Sequence, residues 1–234
     1  MKIAVFGTGI VGQVIAARLA GLGHSVTIGT REVAKTLSRT DKDPYGNPPF
    51  AEWYKQNMST VKLGTYSEAA ASAEIIFNCT QGQGSVDALK QAGNANLKGK
   101  ILVDISNPLD FSKGMPPFLS PGNTDSLGEL IQRTFPEIKV VKTLNTMNCF
   151  LMVNPSALPG DHNVFVSGND AEAKGAAKEI LKSFGWKESN MIDLGDITTA
   201  RGTEQLLPIW IRLYGALQNP MFNFKIVVGA APKP

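Results

Sequence analysis

A glycine-rich hexapeptide near the start of the chain has the residue types and spacing of a phosphate-binding turn. Gly7-Thr8-Gly9-Ile10-Val11-Gly12 follows a short apolar stretch and opens a segment with helical spacing. In that context the motif predicts dinucleotide binding. Gly7 would allow a tight turn, Gly9 the close approach of a pyrophosphate, and Gly12 close packing of helix against strand. The N–H groups at the helix N-terminus would bind the phosphates.

The end of the second predicted strand indicates which dinucleotide binds. NAD-binding proteins usually carry Asp or Glu there to hold the ribose hydroxyls, whereas this chain has Gly29-Thr30-Arg31. Thr30, Arg31 and Lys35 offer a hydroxyl, a guanidinium and an amine to a 2′-phosphate. Alternatively, Arg31 and Lys35 are solvated helix residues and Glu32 holds the ribose. We favour NADP(H) over NAD(H).

Three further segments follow predicted strands at the edge where a doubly wound sheet binds its ligand. The residues concerned follow the fourth, fifth and sixth strands in turn: Thr80 and Gln81, Asn107 and Pro108, and Asn145. Small uncharged hydrogen-bonding groups suit a nicotinamide carboxamide and its ribose. The alternative is ordinary loop chemistry, because Asn, Ser, Thr and Pro form turns in any case.

Alternating strand and helix patterns must position these segments. Apolar runs predict strands over residues 2–6, 25–28, 61–63, 75–79, 101–105, 138–142, 164–167 and 192–194. Helical spacing predicts helices over residues 10–22, 31–37, 50–56, 67–73, 85–95, 127–135 and 172–184. This order predicts an α/β fold, a Rossmann-type doubly wound, mostly parallel sheet with a small C-terminal helical extension.

Two regions interrupt the alternation. Residues 40–56 form an insertion, either a surface segment pinned by its aromatic residues or a lid or dimer contact. We predict an NADP-binding domain over residues 1–167 and a C-terminal lobe over 168–234 that continues the fold. Within that lobe, residues 203–217 have a broad apolar face and predict a helix, which Pro208 kinks or starts. We expect this face to be buried, in the chain's own core or against a second subunit.

Composition excludes several classes of protein. The 234 residues carry a formal net charge of +3 without a basic run, which argues against nucleic acid or acidic membranes as partners. No apolar run reaches the roughly 20 residues of a membrane helix. Two cysteines, Cys79 and Cys149, and two histidines, His24 and His162, lack the spacing of a metal site. We expect no metal, structural histidines, and a reduced, cytoplasmic protein.

The chain resembles the coenzyme F-420-dependent NADP oxidoreductases (deazaflavin–NADP reductases) and the NADPH domain of the six-transmembrane metalloreductases. The resemblance spans nearly the whole chain and is carried by these segments: Gly7-Thr8-Gly9 with Gly12, Gly23-His24, Gly29-Thr30-Arg31, Val140-Val141-Lys142 with Asn145-Thr146, Ile192-Asp193-Leu194-Gly195-Asp196, Ala200-Arg201, Glu204 and Leu207-Pro208.

The resemblance implies roles for the motif residues. It implies that the adenosine phosphates of NADP are held by one set: Thr8, Ile10, Val11, Thr30, Arg31 and Lys35. It implies that the nicotinamide is flanked by another: Thr80–Gln81, Asn107–Pro108 and Asn145. A flavin-like acceptor, coenzyme F-420 or a flavin, would stack on the nicotinamide. The resemblance further implies a homodimer with the apolar C-terminal helix near the interface.

Direct hydride transfer needs orientation and exclusion of water more than a strong acid or base. The sequence accordingly offers no obvious proton-transfer residue. A carbonyl substrate would need an acid, for which Lys142 and Arg201 are the candidates. Alternatively, Arg201 caps a carbonyl or forms an ion pair with Glu204. We therefore predict an NADPH-dependent oxidoreductase with a flavin-like or other small acceptor. The alternatives are a non-catalytic NADP(H)-binding redox sensor and a small-metabolite dehydrogenase or imine reductase.

Overall fold

An eight-stranded sheet forms the centre of the computed structural model, which describes residues 1–42 and 46–230. The strands are β1 (Lys2–Phe6), β2 (Ser25–Thr30), β3 (Val61–Thr65), β4 (Ile75–Asn78), β5 (Ile101–Asp104), β8 (Lys139–Thr143), β9 (Val164–Gly168) and β10 (Met191–Gly195), with a separate two-stranded hairpin of β6 (Leu109–Asp110) and β7 (Phe118–Leu119). The order in the sheet is β10-β9-β8-β5-β4-β1-β2-β3. All neighbours are parallel except β8 and β9, which are antiparallel. The predicted fold class is confirmed.

Helices cover both faces of this sheet. They are α1 (Ile10–Gly21), α2 (Val33–Leu37), α3 (Phe50–Asn57), α4 (Tyr66–Ser72), α5 (Gly82–Ala92), α6 (Asn94–Leu97), α7 (Leu127–Thr134), α8 (Cys149–Val153), α9 (Ala171–Phe184), α10 (Ala200–Gln205) and α11 (Leu207–Leu217). No helix in residues 1–42 and 46–230 combines the length and the apolar character needed to cross a membrane.

Strand side chains alternate between two hydrophobic cores, one on each face. Ile3 and Val5 of β1 belong to the core that includes α1, whereas Ala4 and Phe6 belong to the core that includes α4. Because both faces are covered, the central strands are continuously apolar rather than alternating, which is why their sequences predict strands so clearly.

The strand order reverses between β1 and β4, which are neighbours in the sheet. At such a switch point the connections leave in opposite directions and open a crevice at the carboxyl ends of the strands. Phe6 and Asn78 are paired in register as the last residues of these two strands. The glycine turn and the segment after β4 therefore emerge side by side.

The predicted insertion packs through its aromatic residues. Phe50 is buried in the main core, and the rings of Trp53 and Tyr54 lie 5.6 and 5.8 Å from it. Of the predicted loop at the start of the insertion, residues 43–45 lie outside the described part of the chain.

The C-terminal lobe differs from the prediction in one respect. The predicted helix 203–217 is two helices, α10 and α11, and Pro208 stands in the first turn of α11, where its missing N–H is harmless. Only Leu207 of α11 is buried, while Ile209, Tyr214 and Leu217 are 47%, 47% and 57% exposed. The chain's own core, one of the two predicted partners of this face, therefore leaves these three side chains exposed, and burial against a second subunit stays a prediction. The predicted domain boundary at residue 167 stays a prediction, and β10 beyond it joins the same sheet.

Candidate functional site

The glycine turn between β1 and α1 has the geometry that each predicted glycine requires. Gly7 has φ +115°, and a Cβ there would lie 2.7 Å from the carbonyl oxygen of Cys79. A Cβ at Gly12 would lie 2.1 Å from the carbonyl oxygen of Gly7, so only glycine lets the helix approach this closely. A Cβ at Gly9 would meet nothing within 4 Å. The first and third glycines of the motif are thus needed by the fold, whereas the middle one faces open space.

The N-terminus of α1 is prepared for an anion. Gly9 is its N-cap and supplies no side chain to the first turn, which also contains no acidic residue. The N–H groups of Ile10 and Val11 therefore remain for an external acceptor. The Gln13 side chain donates to the carbonyl of Thr8 over 2.9 Å and holds the turn in shape. The open space at Gly9 and this positive helix end together fit a pyrophosphate.

Beside the turn, two cations lie at the end of β2. Arg31 and Lys35 are exposed, and within the described residues neither side chain forms an ion pair or hydrogen bond. The hydroxyl of Thr30 is instead buried, 2.8 Å from that of Thr36. Burial raises the pKa of Tyr66, and the positive charges of Arg31 and Arg39 oppose that shift.

The segments after β5 and β8 are joined by a reciprocal amide pair. Asn107 donates to the carbonyl oxygen of Asn145 over 2.8 Å, and the side chain of Asn145 donates to the side-chain oxygen of Asn107 over 2.9 Å. Leu144, immediately before Asn145, has φ +62° and is buried. Such a conformation costs of order 1–3 kcal/mol in a non-glycine residue and concentrates at functional sites. It turns the chain at the end of β8, where Asn145 meets Asn107.

In the segment after β4, the hydroxyl that was predicted to meet the ligand is bonded to neighbouring side chains. The hydroxyl of Thr80 lies 2.7 Å from the side-chain oxygen of Asn78 and 2.8 Å from the hydroxyl of Ser85. Gln81 is exposed and forms the N-cap of α5 without a side-chain cap. Pro108 is buried. Of these predicted residues, Gln81 alone offers an unengaged side chain at the edge of the sheet.

A cavity of about 240 Å³ lies at the carboxyl edge and is bounded by residues from both ends of the chain. Its lining comprises Ile10, Val11, Ile105, Asn107, Asn145, Met147, Asn148, Cys149, Met152, Leu207 and Trp210. These are apolar or amide side chains apart from one thiol, and burial raises the pKa of Cys149 to about 11. The described lining therefore offers no ready proton donor or acceptor near neutral pH.

The candidate acids named from the sequence are engaged elsewhere. Lys142 is buried between Asp104 and Glu204, with 2.8 Å from its Nζ to each carboxylate. Burial disfavours its charge, but the two carboxylates outweigh that effect and raise the pKa of Lys142. Arg201 pairs with Glu129 and not with Glu204, so that part of the prediction is wrong. Neither residue lines the cavity.

Of the two histidines and two cysteines, Cys149 lines the cavity and the other three do not. His162 is buried, lies 2.9 Å from the carbonyl oxygen of Pro155 and bonds Asn223 of the C-terminal tail. Burial and the neighbouring N-terminal amine lower the pKa of His24. Cys79 and Cys149 are free thiols, and burial raises the pKa of Cys79 as well.

The distal cavity wall, formed by Met147, Met152, Leu207 and Trp210, was not identified from the sequence. Trp210 stacks on Phe222 at 5.2 Å. Helical spacing placed Trp210 on an apolar face, but nothing local indicates that this face lines the same cavity as the start of α1. A resident NADP would be held by the residues that fit it here: the glycine turn, the first turn of α1, and Arg31 with Lys35.

Comparisons with known proteins show what the chain is similar to. The family model described as NADP oxidoreductase, coenzyme F420-dependent, matches residues 2–108. The F420-dependent NADP reductase of Methanothermobacter marburgensis is 28% identical over 237 residues, covering 100% of both chains. The metalloreductase STEAP3 of Rattus norvegicus is 28% identical over 214 residues, and the match covers 89% of this chain but 38% of that protein.

Solved structures extend the comparison. A crystal structure of a candidate F420-dependent NADP reductase from Arthrobacter sp. FB24 is 60% identical, with a TM-score of 0.92 over 97% of this chain and 100% of that one. An imine reductase from Myxococcus stipitatus is 16% identical with a TM-score of 0.58, over 93% of this chain and 63% of that one. At that identity the likeness concerns the fold alone.

Proposed function

Because the chain belongs to the coenzyme F420-dependent NADP oxidoreductase family, we propose that it passes hydride between NADP(H) and a flavin-like acceptor. Membership confirms the predicted resemblance and the predicted enzyme class, an NADP-dependent oxidoreductase. The acceptor that we propose is a deazaflavin of the coenzyme F420 type, with a flavin as the alternative.

One observation carries the proposal: the apolar, amide-lined cavity that adjoins the N-terminus of α1 and the Asn107–Asn145 pair. When bound, the nicotinamide ring supplies or accepts a hydride, which a flat heteroaromatic acceptor can exchange without a proton relay. The protein's own contribution is then to orient two rings and exclude water. Lys142 and Arg201 are held by carboxylates outside the cavity, which disfavours a carbonyl or imine substrate.

Each half of the proposed site has its own residues. The first turn of α1, with Thr8, Ile10 and Val11, would bind the phosphates, and Arg31 with Lys35 would bind the 2′-phosphate. The oxygen of the Asn145 side chain has no partner among the described residues and would accept from the carboxamide. Met147 and Trp210 would form the wall against the acceptor ring, because soft and aromatic side chains pack well on flat ring systems.

The test begins with calorimetric titration of NADPH and NADH into wild-type protein and into Arg31→Ala. Loss of charge-assisted hydrogen bonds to the 2′-phosphate should cost about 1.5–3 kcal/mol, roughly 10- to 150-fold in the Kd of NADPH, with NADH little affected. The matched control is Arg133→Ala, which removes the same charge from an arginine that pairs with Asp125. Equal losses for both nucleotides would place the 2′-phosphate elsewhere.

The acceptor is identified in the same preparation by following NADPH oxidation with a deazaflavin, FMN, FAD and a quinone. Turnover on the deazaflavin supports the proposal, and turnover on FMN or FAD alone selects the flavin alternative. Tight NADPH binding without turnover on any of them would favour a redox sensor and contradict the proposed reaction.

We further propose a homodimer formed through α11. Its exposed face carries Ile209, Tyr214 and Leu217, and its one charged residue is Arg212. Exposed apolar area of this kind marks an interaction surface, and two nearly uncharged copies complement each other under two-fold symmetry. Sedimentation should show a dimer that Ile209→Lys dissociates, whereas Met58→Lys, another exposed apolar position, should not.

A sedimentation result that shows a monomer at every concentration would contradict the dimer and leave the exposed face of α11 to a different partner.

The two free thiols support a further proposal, that the protein works in a reducing, cytoplasmic location.

A further inference from the structure

Three polar side chains form a row across the ends of three buried strands. Asn78, Asp104 and Lys142 are paired in register on β4, β5 and β8, and each is no more than 1% exposed. They lie on the face of the sheet that packs against α5 and α7. Replacement of a whole buried ion-pair cluster by well-packed apolar side chains is often neutral or stabilising, so the row is not explained by stability alone.

The carboxylate of Asp104 connects two of the segments at the proposed nicotinamide site. One oxygen lies 2.8 Å from the Lys142 amine. The other accepts from the Ser106 hydroxyl at 2.6 Å and from the Asn78 amide at 2.8 Å. Asn78 in turn accepts from the hydroxyl of Thr80 at 2.7 Å. The ion pair to Lys142 therefore fixes the orientation of a carboxylate on which both segments depend.

Lys142 also contacts one segment directly. Its amine donates to the carbonyl oxygen of Ser106 and pairs with Glu204 at 2.8 Å. Glu204 additionally accepts from the N–H groups of Leu127 at 2.8 Å and Gly128 at 3.0 Å, at the positive end of α7. That helix end offsets the second carboxylate, so the cluster is balanced with Lys142 charged. The amine thereby has three fixed acceptors and a single position.

We propose that Lys142 is a positioning residue for the nicotinamide, acting through Asp104 and Ser106 on the segments that carry Thr80 and Asn107. The inference rests on the proposed function, which places the nicotinamide between those segments. Lys142 does not itself line the cavity. A displacement of about 1 Å at reacting groups can lower a rate by about 100-fold, so small shifts of these segments matter.

The test compares Lys142→Met with Arg201→Met in the full chain. Arg201 is the matched control because it is also a long cation paired with a carboxylate near α7, yet it contacts neither segment. Three quantities are measured: the Kd for NADPH, the emission of the bound reduced nicotinamide on direct excitation, and kcat with the acceptor found above.

Lys142→Met should change the Kd for NADPH less than threefold, since the phosphates are bound elsewhere, and lower kcat about 10- to 100-fold. The emission gained when NADPH binds should fall by at least half, because an unfixed ring is quenched by water. Arg201→Met should alter all three by less than twofold. Folded Lys142→Met protein with wild-type emission and kcat would overturn the proposal, as would an equal loss in Arg201→Met.

A second variant guards against failure to fold. Asp104→Asn keeps an oxygen for Asn78 and Ser106 but removes the charge that faces Lys142, and it should reduce emission and kcat in the same direction. Unchanged values would overturn the proposal. Wild-type protein that binds NADPH with a gain in emission but reduces no acceptor would contradict the proposed reaction. In that case the loss of emission in these variants, compared with wild type, would still test the role of Lys142.

Discussion

Replacing Gly9 with alanine should weaken NADPH binding while leaving the fold intact. The backbone at Gly9 (φ −72°, ψ 175°) is allowed for any residue, and a Cβ there meets nothing within 4 Å. Alanine is a poorer N-cap than glycine by about 0.5–1 kcal/mol, which the lower entropy of the unfolded chain offsets by about 0.4–1 kcal/mol. The net change in the free energy of unfolding should stay within about 1 kcal/mol.

The same methyl group would occupy the space through which a pyrophosphate reaches the N–H groups of α1. Losing one charge-assisted hydrogen bond there costs about 1.5–3 kcal/mol, roughly 10- to 150-fold in the Kd for NADPH. Gly12→Ala is the matched control, because its Cβ would lie 2.1 Å from the carbonyl oxygen of Gly7. Overpacking of this kind costs about 1–3 kcal/mol, or roughly 2–4 °C in Tm per kcal/mol for a chain of this size.

Titration calorimetry measures the affinity and scanning calorimetry the Tm of both variants. Gly9→Ala should lose affinity with a Tm close to wild type, whereas Gly12→Ala should lose Tm. Wild-type affinity in Gly9→Ala would refute the assignment of the open space to the pyrophosphate. An equal fall in Tm for both variants would refute the claim that only one of these glycines is required by packing.

Three further predictions concern other parts of the site. The Arg201 guanidinium lowers the pKa of Glu129, so this pair stabilises the protein above the carboxyl's ordinary pKa and the effect is lost as pH falls through the lowered value. Urea unfolding should show Glu129→Gln about 1 kcal/mol less stable than wild type at pH 7, with a difference that shrinks as the pH falls below the carboxyl's ordinary pKa. A pH-independent difference would contradict this. With a pKa of about 11 against an ordinary 9.0, Cys149 should react with iodoacetamide at pH 8 about 100-fold more slowly than a free thiol, and rapid labelling of native protein would disprove this. Trp210→Leu should raise the KM for the acceptor and leave the Kd for NADPH unchanged; an effect on NADPH alone would remove Trp210 from the acceptor wall.

The sheet and the geometry of its glycine turn could be predicted because their determinants are local. Apolar runs identify strands that are buried on both faces, and Gly7 to Gly12 lie in one turn whose steric needs are those of the motif. The break between α10 and α11 follows from Pro208, for which a helix start was one of the two predicted outcomes. Burial of α11 could not be judged, because helical spacing reveals an apolar face and not what covers it.

The buried cluster around Lys142 depended on strand register, which the sequence prediction did not use. Asp104 and Lys142 lie near the carboxyl ends of two apolar strands, and the register of β5 against β8 pairs them. The partner of Arg201 was predicted wrongly for a different reason. Glu204 is only three residues away in the chain, but helix α10 directs it towards Lys142 and the first turn of α7, which lies 77 residues earlier.

The two halves of the proposed site differ in how far apart in the sequence their contacting residues lie. The proposed adenosine half of the site is built within residues 7–35. The proposed acceptor half instead needs the contact between Asn107 and Asn145, 38 residues apart, and a cavity that α1 and α11 line together. Sequence changes in α11 can therefore reshape the acceptor wall without touching the glycine turn or Arg31. Proteins with this same turn could differ in acceptor while binding the same nucleotide, so the identity of the acceptor should be sought in the wall formed by Leu207 and Trp210.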